Sequence, residues 1–330
     1  MRNDYAFRIL GPLVVMNGDE RIEISGIRRQ KLLATLLLQV QQVVSLDRLV
    51  DAIWDDEPPA SAHGQVRICV SGLRRLLRTH ERESVIETRP SGYRIRVLDD
   101  DALDLFKFEK LVARARVMLR DDHLEAAEVL FKEALELWRG PVAAGLDSRA
   151  LASLAVKHNE DRLTVSEEYF EVALKLGRHR QIIGDLTGFV AENPFRERAC
   201  AQLMLALCHS GRQADALETF RHLRRRFSED LGIEPAQDLH ALHQSILVGE
   251  LTSLTPVPRD IPAPRPARRP SGLRGRTARL ALVEPARPAA VRADSVEQLR
   301  LENDLLRIER DTLRQVMLLW LNSEEESPGA

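Results

Sequence analysis

A pattern of glycine and apolar residues that repeats after 34 residues constrains the fold of this chain more than any other feature of its sequence. Two glycine–arginine pairs begin at Gly177 and Gly211. Apolar residues follow each glycine at the fifth and ninth positions: Ile182 and Leu186 in the first copy, Ala216 and Phe220 in the second. A period of 34 residues is typical of tetratricopeptide repeats, in which paired helices turn at the glycine. The sequence therefore predicts stacked helix pairs in this part of the chain.

The same helical organisation is expected over residues 104–250, where glycine or proline marks most of the breaks. Residues 121–138 resemble a third copy, with Ala126 and Leu130 at the matching offsets and the phase broken by an inserted segment. Generic antiparallel helices are the alternative to true repeats. Both interpretations predict an all-α scaffold for this region.

Residues 1–98 instead mix short β-prone runs with helical patterns. Strands are predicted at residues 7–10, 14–16, 21–24, 85–88 and 93–97, with a hairpin turn at Asn17-Gly18. Helices are predicted at residues 28–39, 46–54 and 60–78, and Ser45 is the expected N-cap of the second. The predicted buried stripe of the first helix consists of Leu32, Leu33, Leu36 and Leu37. Two helices followed by a β-hairpin form the layout of a winged helix-turn-helix. The predicted fold is therefore mainly α: an α+β winged helix followed by a tetratricopeptide-like helical domain.

The third predicted helix carries two stripes of opposite character. Its buried side is formed by Val66, Val70, Leu73 and Leu77. Another stripe repeats the same spacing without an acidic member, and Arg75 flanks it: His63, Arg67, Ser71, Arg74 and Arg78. A merely solvated face mixes charge signs, although a solvated charge stripe remains the alternative. We therefore predict that this stripe enters the major groove of DNA, and that Arg89 and Arg94 of the following hairpin contact the minor groove.

The net charge of the whole chain does not show that the N-terminal region is basic. The chain has 48 Lys and Arg against 50 Asp and Glu, a net charge of −2, yet residues 1–98 hold 15 basic and 12 acidic side chains. Aromatic residues make up 5% of the chain, which argues against a protein that stacks single-stranded bases. Double-stranded DNA is the partner that this charge distribution predicts.

Several runs in both regions resemble the Streptomyces antibiotic regulatory protein family, in the order of that family. In the N-terminal region they are residues 7–15 (FRILGPLVV), 29–38 (RQKLLATLLL), 46–54 (LDRLVDAIW), 59–62 (PASA) and 92–94 (GYR). In the helical region they are residues 137–141 (LWRGP), 193–198 (NPFRER), 210–217 (SGRQADAL) and 230–235 (DLGIEP).

The resemblance implies an OmpR-type winged helix over residues 1–98 and a bacterial transcriptional activation domain over residues 104–250. It also implies activation of antibiotic gene clusters by binding direct repeats near the −35 promoter element and recruiting RNA polymerase. The chain has Gly64, Cys69 and Gly72 where the family usually has Asn, Tyr and Arg. Another member's operator sequence is therefore not transferred to this protein.

An acidic turn, Asp55-Asp56-Glu57, separates the second and third predicted helices. Phosphates repel three adjacent acids, so we expect this turn to point away from the duplex. In the resembled fold, this loop meets the promoter-binding region of the sigma factor. The turn is therefore predicted to contact RNA polymerase holoenzyme, with a solvated loop as the alternative.

The last segments of the chain predict a linker and a dimer contact. Residues 256–293 hold eight of the 16 prolines and nine arginines, a composition typical of a disordered linker. In residues 294–322, heptad d positions fall on Leu299, Leu306, Leu313 and Trp320, and Asn303 occupies an a position. This pattern predicts a parallel coiled coil and hence a homodimer on DNA. An amphipathic helix that packs back on the helical domain is the alternative.

The sequence contains no signature of catalysis or cofactor binding. No Walker, dinucleotide-binding, nucleophile-elbow or zinc-protease motif occurs. Three cysteines form no metal pattern, and His240 and His243 lack a third ligand nearby, so no metal or cofactor is expected. No apolar run is long enough for a membrane span, and a cytoplasmic, nucleoid-associated protein is expected. The alternatives to a transcriptional activator are a protein-binding scaffold and a repressor of the same fold.

Overall fold

The computed structural model describes residues 5–77, 85–97 and 99–249. In the N-terminal region, the elements are β1 (Tyr5–Arg8), β2 (Val14–Asn17), β3 (Glu20–Ile22), α1 (Ile27–Leu38), β4 (Val44–Ser45), α2 (Leu46–Trp54), α3 (Ala62–Leu76), β5 (Ile86–Arg89) and β6 (Gly92–Ile95). The linker predicted at residues 256–293 and the coiled coil predicted at residues 294–322 lie outside the described residues.

The second region is helical. A single 3-10 turn (Asp100–Ala102) leads into α4 (Asp104–Arg120), α5 (Leu124–Glu136), α6 (Arg149–Lys175), α7 (His179–Glu192), α8 (Glu197–His209), α9 (Gln213–Arg226) and α10 (Gln237–Val248), with a π-helical turn (Phe227–Leu231) before α10. An α+β winged-helix region followed by an all-α region confirms the predicted fold class. Within the described part of the chain, no helix has the length and apolar character required to cross a membrane.

Strands β1, β2 and β3 form an antiparallel sheet in that order. Gly18, with a φ of +57°, and Asp19 connect β2 to β3, so the predicted hairpin is confirmed. Its turn lies one residue later than the predicted Asn17-Gly18, because Asn17 still pairs with Glu20 as the last residue of β2. The predicted apolar stripe of α1, Leu32, Leu33, Leu36 and Leu37, is fully buried. As predicted, the Ser45 hydroxyl caps α2 by accepting a hydrogen bond from the Arg48 backbone N–H at 3.2 Å.

A second sheet, with strand order β4-β6-β5, forms the wing. Strand β6 pairs with β5 through the turn at Pro90 and Ser91, and with β4 on its other side. Gly92, at the start of β6, has a φ of +154°, and a Cβ placed there would lie 1.9 Å from the Val44 carbonyl oxygen. The close approach of β4 to the hairpin therefore requires glycine at this position.

Three helix-pair turns share one geometry. Gly177 and Gly211 have left-handed φ angles of +73° and +80°, and the residue after each donates its N–H to a carbonyl five residues back. Ile182, Leu186, Ala216 and Phe220 are all buried, as the repeat predicts.

The α4–α5 turn repeats this geometry with Asp122, whose φ is +60°, in place of glycine. The residues five and nine positions after Asp122 are Ala127 and Phe131, and both are fully buried. Ala126 is exposed and Leu130 is half-buried. The third copy therefore exists, but its predicted phase was wrong by one residue, because an aspartate takes the left-handed position that glycine takes in the other two copies.

Buried hydrogen bonds join the two regions. The Asp104 carboxylate, at the start of α4, accepts from the backbone N–H groups of Ile9 and Leu10 at 2.8–3.0 Å. Its pKa is raised by burial, and the Arg139 guanidinium lies 3.5 Å away. The backbone N–H of Arg139 donates to the Leu10 carbonyl at 2.8 Å. One continuous apolar core extends from β1 through the winged helix to α6, so these bonds lie within a shared interior.

Candidate nucleic-acid interface

Helix α3 buries the predicted apolar stripe. Val66, Val70, Leu73 and Leu77 are each no more than 1% exposed and pack against α1 and α2. Because an α-helix advances by about 100° per residue, the residues farthest from this stripe are Gly64, Ile68 and Arg75. All three are exposed. The outward surface of α3 is therefore available to a ligand.

The predicted DNA-binding stripe of α3 lies on one flank of this outward surface. His63, Arg67, Ser71 and Arg75 are exposed, and Arg74 is half-buried. Arg67 and Arg75 have no acidic partner among the described residues, whereas His63 lies 2.9 Å from the Asp47 carboxylate of α2. Arg78 lies outside the described residues. Two cations without an acidic partner and a serine hydroxyl are the groups that the described part of this face offers to phosphates and bases.

Arg74 contacts the wing. Its Nε donates to the Ile86 carbonyl at 2.9 Å, and its Nη2 donates to the Thr88 hydroxyl at 2.7 Å. The guanidinium also lies 5.8 Å from the centre of the Tyr93 ring. These contacts attach α3 to β5 and β6. They favour a positioning role for Arg74 over the base contact that the sequence predicts.

The wing is less positive than its arginines suggest. Arg89 and Arg94 both donate to the Glu87 carboxylate, and Arg96 lies 3.5 Å from it. The hydrogen bond from Arg94 is the main cause that lowers the pKa of Glu87. An ionised Glu87 therefore offsets part of the charge of the predicted minor-groove contacts. The sequence interpretation missed this acid, although it lies two residues before Arg89.

Two arginines at the start of α1 also border α3. Arg28 Nη1 donates to the Gln65 side chain at 2.8 Å, and its guanidinium lies 5.4 Å from the Trp54 ring centre. Arg29 covers Gly72, where an added Cβ would lie 3.1 Å from the Arg29 Nε. A cation from α1 therefore covers the position at which the resemblance implies an arginine. The adjacent arginines Arg28 and Arg29 were the sequence signal that α1 adds positive charge beside α3.

The acidic turn after α2 contacts the helical region. Asp55 Oδ1 accepts from the backbone N–H of Arg149, the first residue of α6, at 2.8 Å. Asp56 forms an ion pair with the Arg149 side chain. Glu57 is exposed. Two of the three acids predicted to meet polymerase therefore have a partner within the chain, and Asp56 stays 78% exposed beside it.

The cysteines and the histidine pair considered in the sequence analysis are packed against neighbouring side chains. Cys69 and Cys200 are buried and unpaired, and burial raises the pKa of Cys200 to about 12. His240 and His243 both pack on the Phe220 ring, with centroid distances of 5.1 and 4.2 Å. Across the described residues, no group of three or more His, Cys, Asp or Glu side chains forms a metal site.

A winged helix with an exposed cationic helix, joined to a stack of helix pairs, defines the class of winged-helix DNA-binding regulators. Residues 20–95 match the family described as "Transcriptional regulatory protein, C terminal", and residues 103–247 match "Bacterial transcriptional activator domain".

Full-length relatives agree with these matches. The chain is 34% identical to the regulatory protein AfsR of Streptomyces coelicolor over 84% of this chain, and it spans 28% of AfsR. It is 32% identical to the regulatory protein DnrI of Streptomyces peucetius over 72% of this chain and 90% of DnrI. A structure of Mycobacterium tuberculosis EmbR in complex with a low-affinity phosphopeptide matches with a TM-score of 0.71 and 29% identity, over 76% of this chain and 67% of that chain.

The chain belongs to the Streptomyces antibiotic regulatory protein family. Its described residues combine a winged-helix region of the DNA-binding class with a bacterial transcriptional activator domain, the two parts that this family of transcription regulators shares.

Proposed function

We propose that this regulator activates a secondary-metabolite gene cluster, of the antibiotic type, by binding direct repeats near the −35 promoter element and recruiting RNA polymerase. The observation that carries the DNA-binding part is the outward surface of α3, where Arg67 and Arg75 are exposed without acidic partners among the described residues. Similarity to AfsR and DnrI supports the regulatory part.

In this proposal, α3 enters the major groove and the wing lies along the adjacent minor groove. Arg67, Ser71 and Arg75 contact bases and phosphates from the exposed face, with His63 and Arg78 at its ends. Arg89 and Arg94 approach the minor groove from the wing. Arg74 holds the two elements in register through its bonds to β5.

RNA polymerase is the proposed protein partner, and Asp55, Asp56 and Glu57 form the proposed contact. Support comes from the exposure of Asp56 and Glu57 and from the repulsion between acids and phosphates, which keeps this turn away from DNA. Reversing the charge of Glu57, by Glu57→Lys, is expected to reduce transcription in vitro and leave promoter affinity unchanged. Equal losses of transcription and DNA affinity would instead assign the turn a structural role.

A salt titration of duplex binding tests the DNA-binding surface. Counterion release predicts a steep fall of affinity with salt for the native protein. The slope should be shallower for Arg67→Ala and Arg75→Ala, by about one unit for each phosphate that the variant no longer neutralises. Arg180→Ala is the matched control, because Arg180 is an exposed arginine on α7. Unchanged slopes in both α3 variants would refute the assignment.

Duplex binding and a reconstituted transcription reaction also distinguish the proposed activator from a protein-binding scaffold and from a repressor. A scaffold that binds only proteins would show no duplex affinity to titrate. A repressor would bind the promoter and lower transcript levels in a reconstituted reaction, whereas the proposed activator raises them.

A further inference from the structure

An isoleucine occupies the outermost position of the DNA-facing helix. Ile68 is 69% exposed, the highest value among the large apolar side chains that the structure describes. It lies opposite the buried stripe of α3, where a solvated helix would carry a polar residue. Its helical neighbours are Gly64, four residues earlier, and Arg75, seven residues later, about 40° and 20° away around the axis.

Gly64 adds a second observation at the same place. It lies in the first turn of α3, has no left-handed backbone, and nothing lies within 4 Å of a Cβ placed there. Neither backbone conformation nor packing therefore requires glycine, which is a poor helix former. Its effect is to leave the helix surface bare beside Ile68, so that this part of the backbone can approach a ligand closely.

We propose that Ile68 determines sequence specificity by contacting the 5-methyl group of a thymine in the major groove, with Gly64 leaving room for that base. Thymine is the base that presents a methyl group in the major groove, and apolar side chains recognise it by contact. Arg67 lies about 100° around the helix axis from Ile68 and Arg75 about 20°, on the same side, so both add positive charge beside Ile68 that attracts the phosphates bordering the groove. This inference rests on the proposed DNA-binding function and names the base chemistry that the surface recognises.

An isolated exposed isoleucine is common on protein surfaces and by itself indicates nothing. Ile68 differs because it projects from a helix whose described residues, 62–76, include no acid. Arg67 and Arg75 lie on one side of it, and Gln65, which accepts a hydrogen bond from Arg28, lies on the other. A partner that complements such a surface combines negative charge at its edges with an apolar group at its centre. The major groove at a thymine has this composition, since phosphates border the groove and the methyl group lies on its floor.

Removal of single methyl groups from DNA tests the proposal directly. The full-length protein is first used to select its preferred duplex from a random pool. Each thymine of that duplex is then replaced in turn by deoxyuridine, which lacks only the 5-methyl group. For the native protein, we expect one thymine in each repeat at which the replacement weakens binding about fourfold, the effect of one buried methyl group.

The variant Ile68→Ala should bind the thymine and deoxyuridine duplexes equally at that position and keep the native response elsewhere. Alanine is a better helix former, so the variant is expected to fold. Val156→Ala, which changes a 65% exposed valine on α6, is the matched control and should retain the native methyl response. Gly64→Leu, which fills the bare surface, should weaken binding to the selected duplex without changing the salt slope.

Two results would overturn the proposal: a native protein insensitive to every methyl removal, or an Ile68→Ala variant that keeps the full methyl response. Failure to select any duplex would refute the proposed DNA-binding function itself. The two failures are therefore distinguishable in one series of measurements.

Discussion

At the scale of single residues, Asp122 holds the left-handed conformation that glycine holds in two equivalent turns. A non-glycine residue in this conformation carries a steric cost of roughly 1–2 kcal/mol, which aspartate partly relieves. We expect Asp122→Gly to raise the free energy of unfolding by up to about 1 kcal/mol. The control is Asp121→Gly, since Asp121 has a φ of −87° and should lose about 0.5–1 kcal/mol. Denaturant titration of both variants measures the difference, and equal destabilisation would contradict the steric explanation.

Arg74 and Arg75 are neighbours with different surroundings, and they form a matched pair. Arg74→Ala removes two hydrogen bonds to β5, so we expect a loss of about 1–2 kcal/mol in stability and a similar loss of affinity on every DNA sequence. Arg75→Ala should leave stability unchanged and reduce affinity, because its side chain is exposed. Thermal unfolding and binding to selected and scrambled duplexes give both quantities. Altered base preference with an unchanged Tm would return Arg74 to the base-reading role predicted from sequence.

At the scale of one element, α3 contains two glycines that a methyl group would affect differently. Gly64→Ala meets open space, and we expect it to stabilise the protein by about 1 kcal/mol. Gly72→Ala gains the same helix propensity but places a Cβ 3.1 Å from the Arg29 side chain, which has to shift. The increase in stability should therefore be smaller for Gly72→Ala than for Gly64→Ala. Chemical unfolding of the two variants compares them, and an equal gain would show that Arg29 moves without cost.

At the scale of the whole molecule, Asp104 joins the winged helix to the helical region. Asp104→Ala leaves the N–H groups of Ile9 and Leu10 buried without an acceptor and removes the partner of Arg139, so we expect a loss of about 3–5 kcal/mol. Calorimetry should then resolve two unfolding transitions, whereas we expect one for the native protein because its two regions share an apolar core. Asp101→Ala is the control, because its ion pair with Lys110 is exposed and contributes about 0–1 kcal/mol. A single transition in Asp104→Ala would show that the shared apolar core suffices.

The dimer remains a prediction from the heptads of residues 294–322, whose d positions include Leu299, Leu306, Leu313 and Trp320 with Asn303 at an a position. Cutting the chain after residue 255 should preserve binding to one repeat and weaken binding to two, because linked chains raise each other's effective concentration. Sedimentation of the full-length protein measures the association. A monomer at micromolar concentration, or equal binding of two repeats by the truncated chain, would contradict the coiled coil.

Periodicity and turn chemistry determined the elements of this protein. The buried stripes of α1 and α3, the Ser45 cap, the hairpin at Gly18 and the glycine turns of the repeats are all confirmed. The cap and the turns depend on interactions within a few residues of sequence, and the buried stripes follow the helical spacing of apolar residues, so a local pattern records both. The phase error in the repeats, at Asp122, arose because aspartate also tolerates the left-handed conformation that was assigned to glycine.

The tertiary structure decided which charged side chains of the candidate nucleic-acid interface have a partner within the chain. Arg74 lies in the sequence stripe with Arg67, yet its partners are on the wing, and Arg29 reaches Gly72 from a different helix. Asp55 likewise finds the N–H of a residue 94 positions away. The sequence by itself determined that α3 is amphipathic and basic. The availability of each cation depends on acceptors brought together by packing between distant segments, and such contacts leave no periodic trace along the chain.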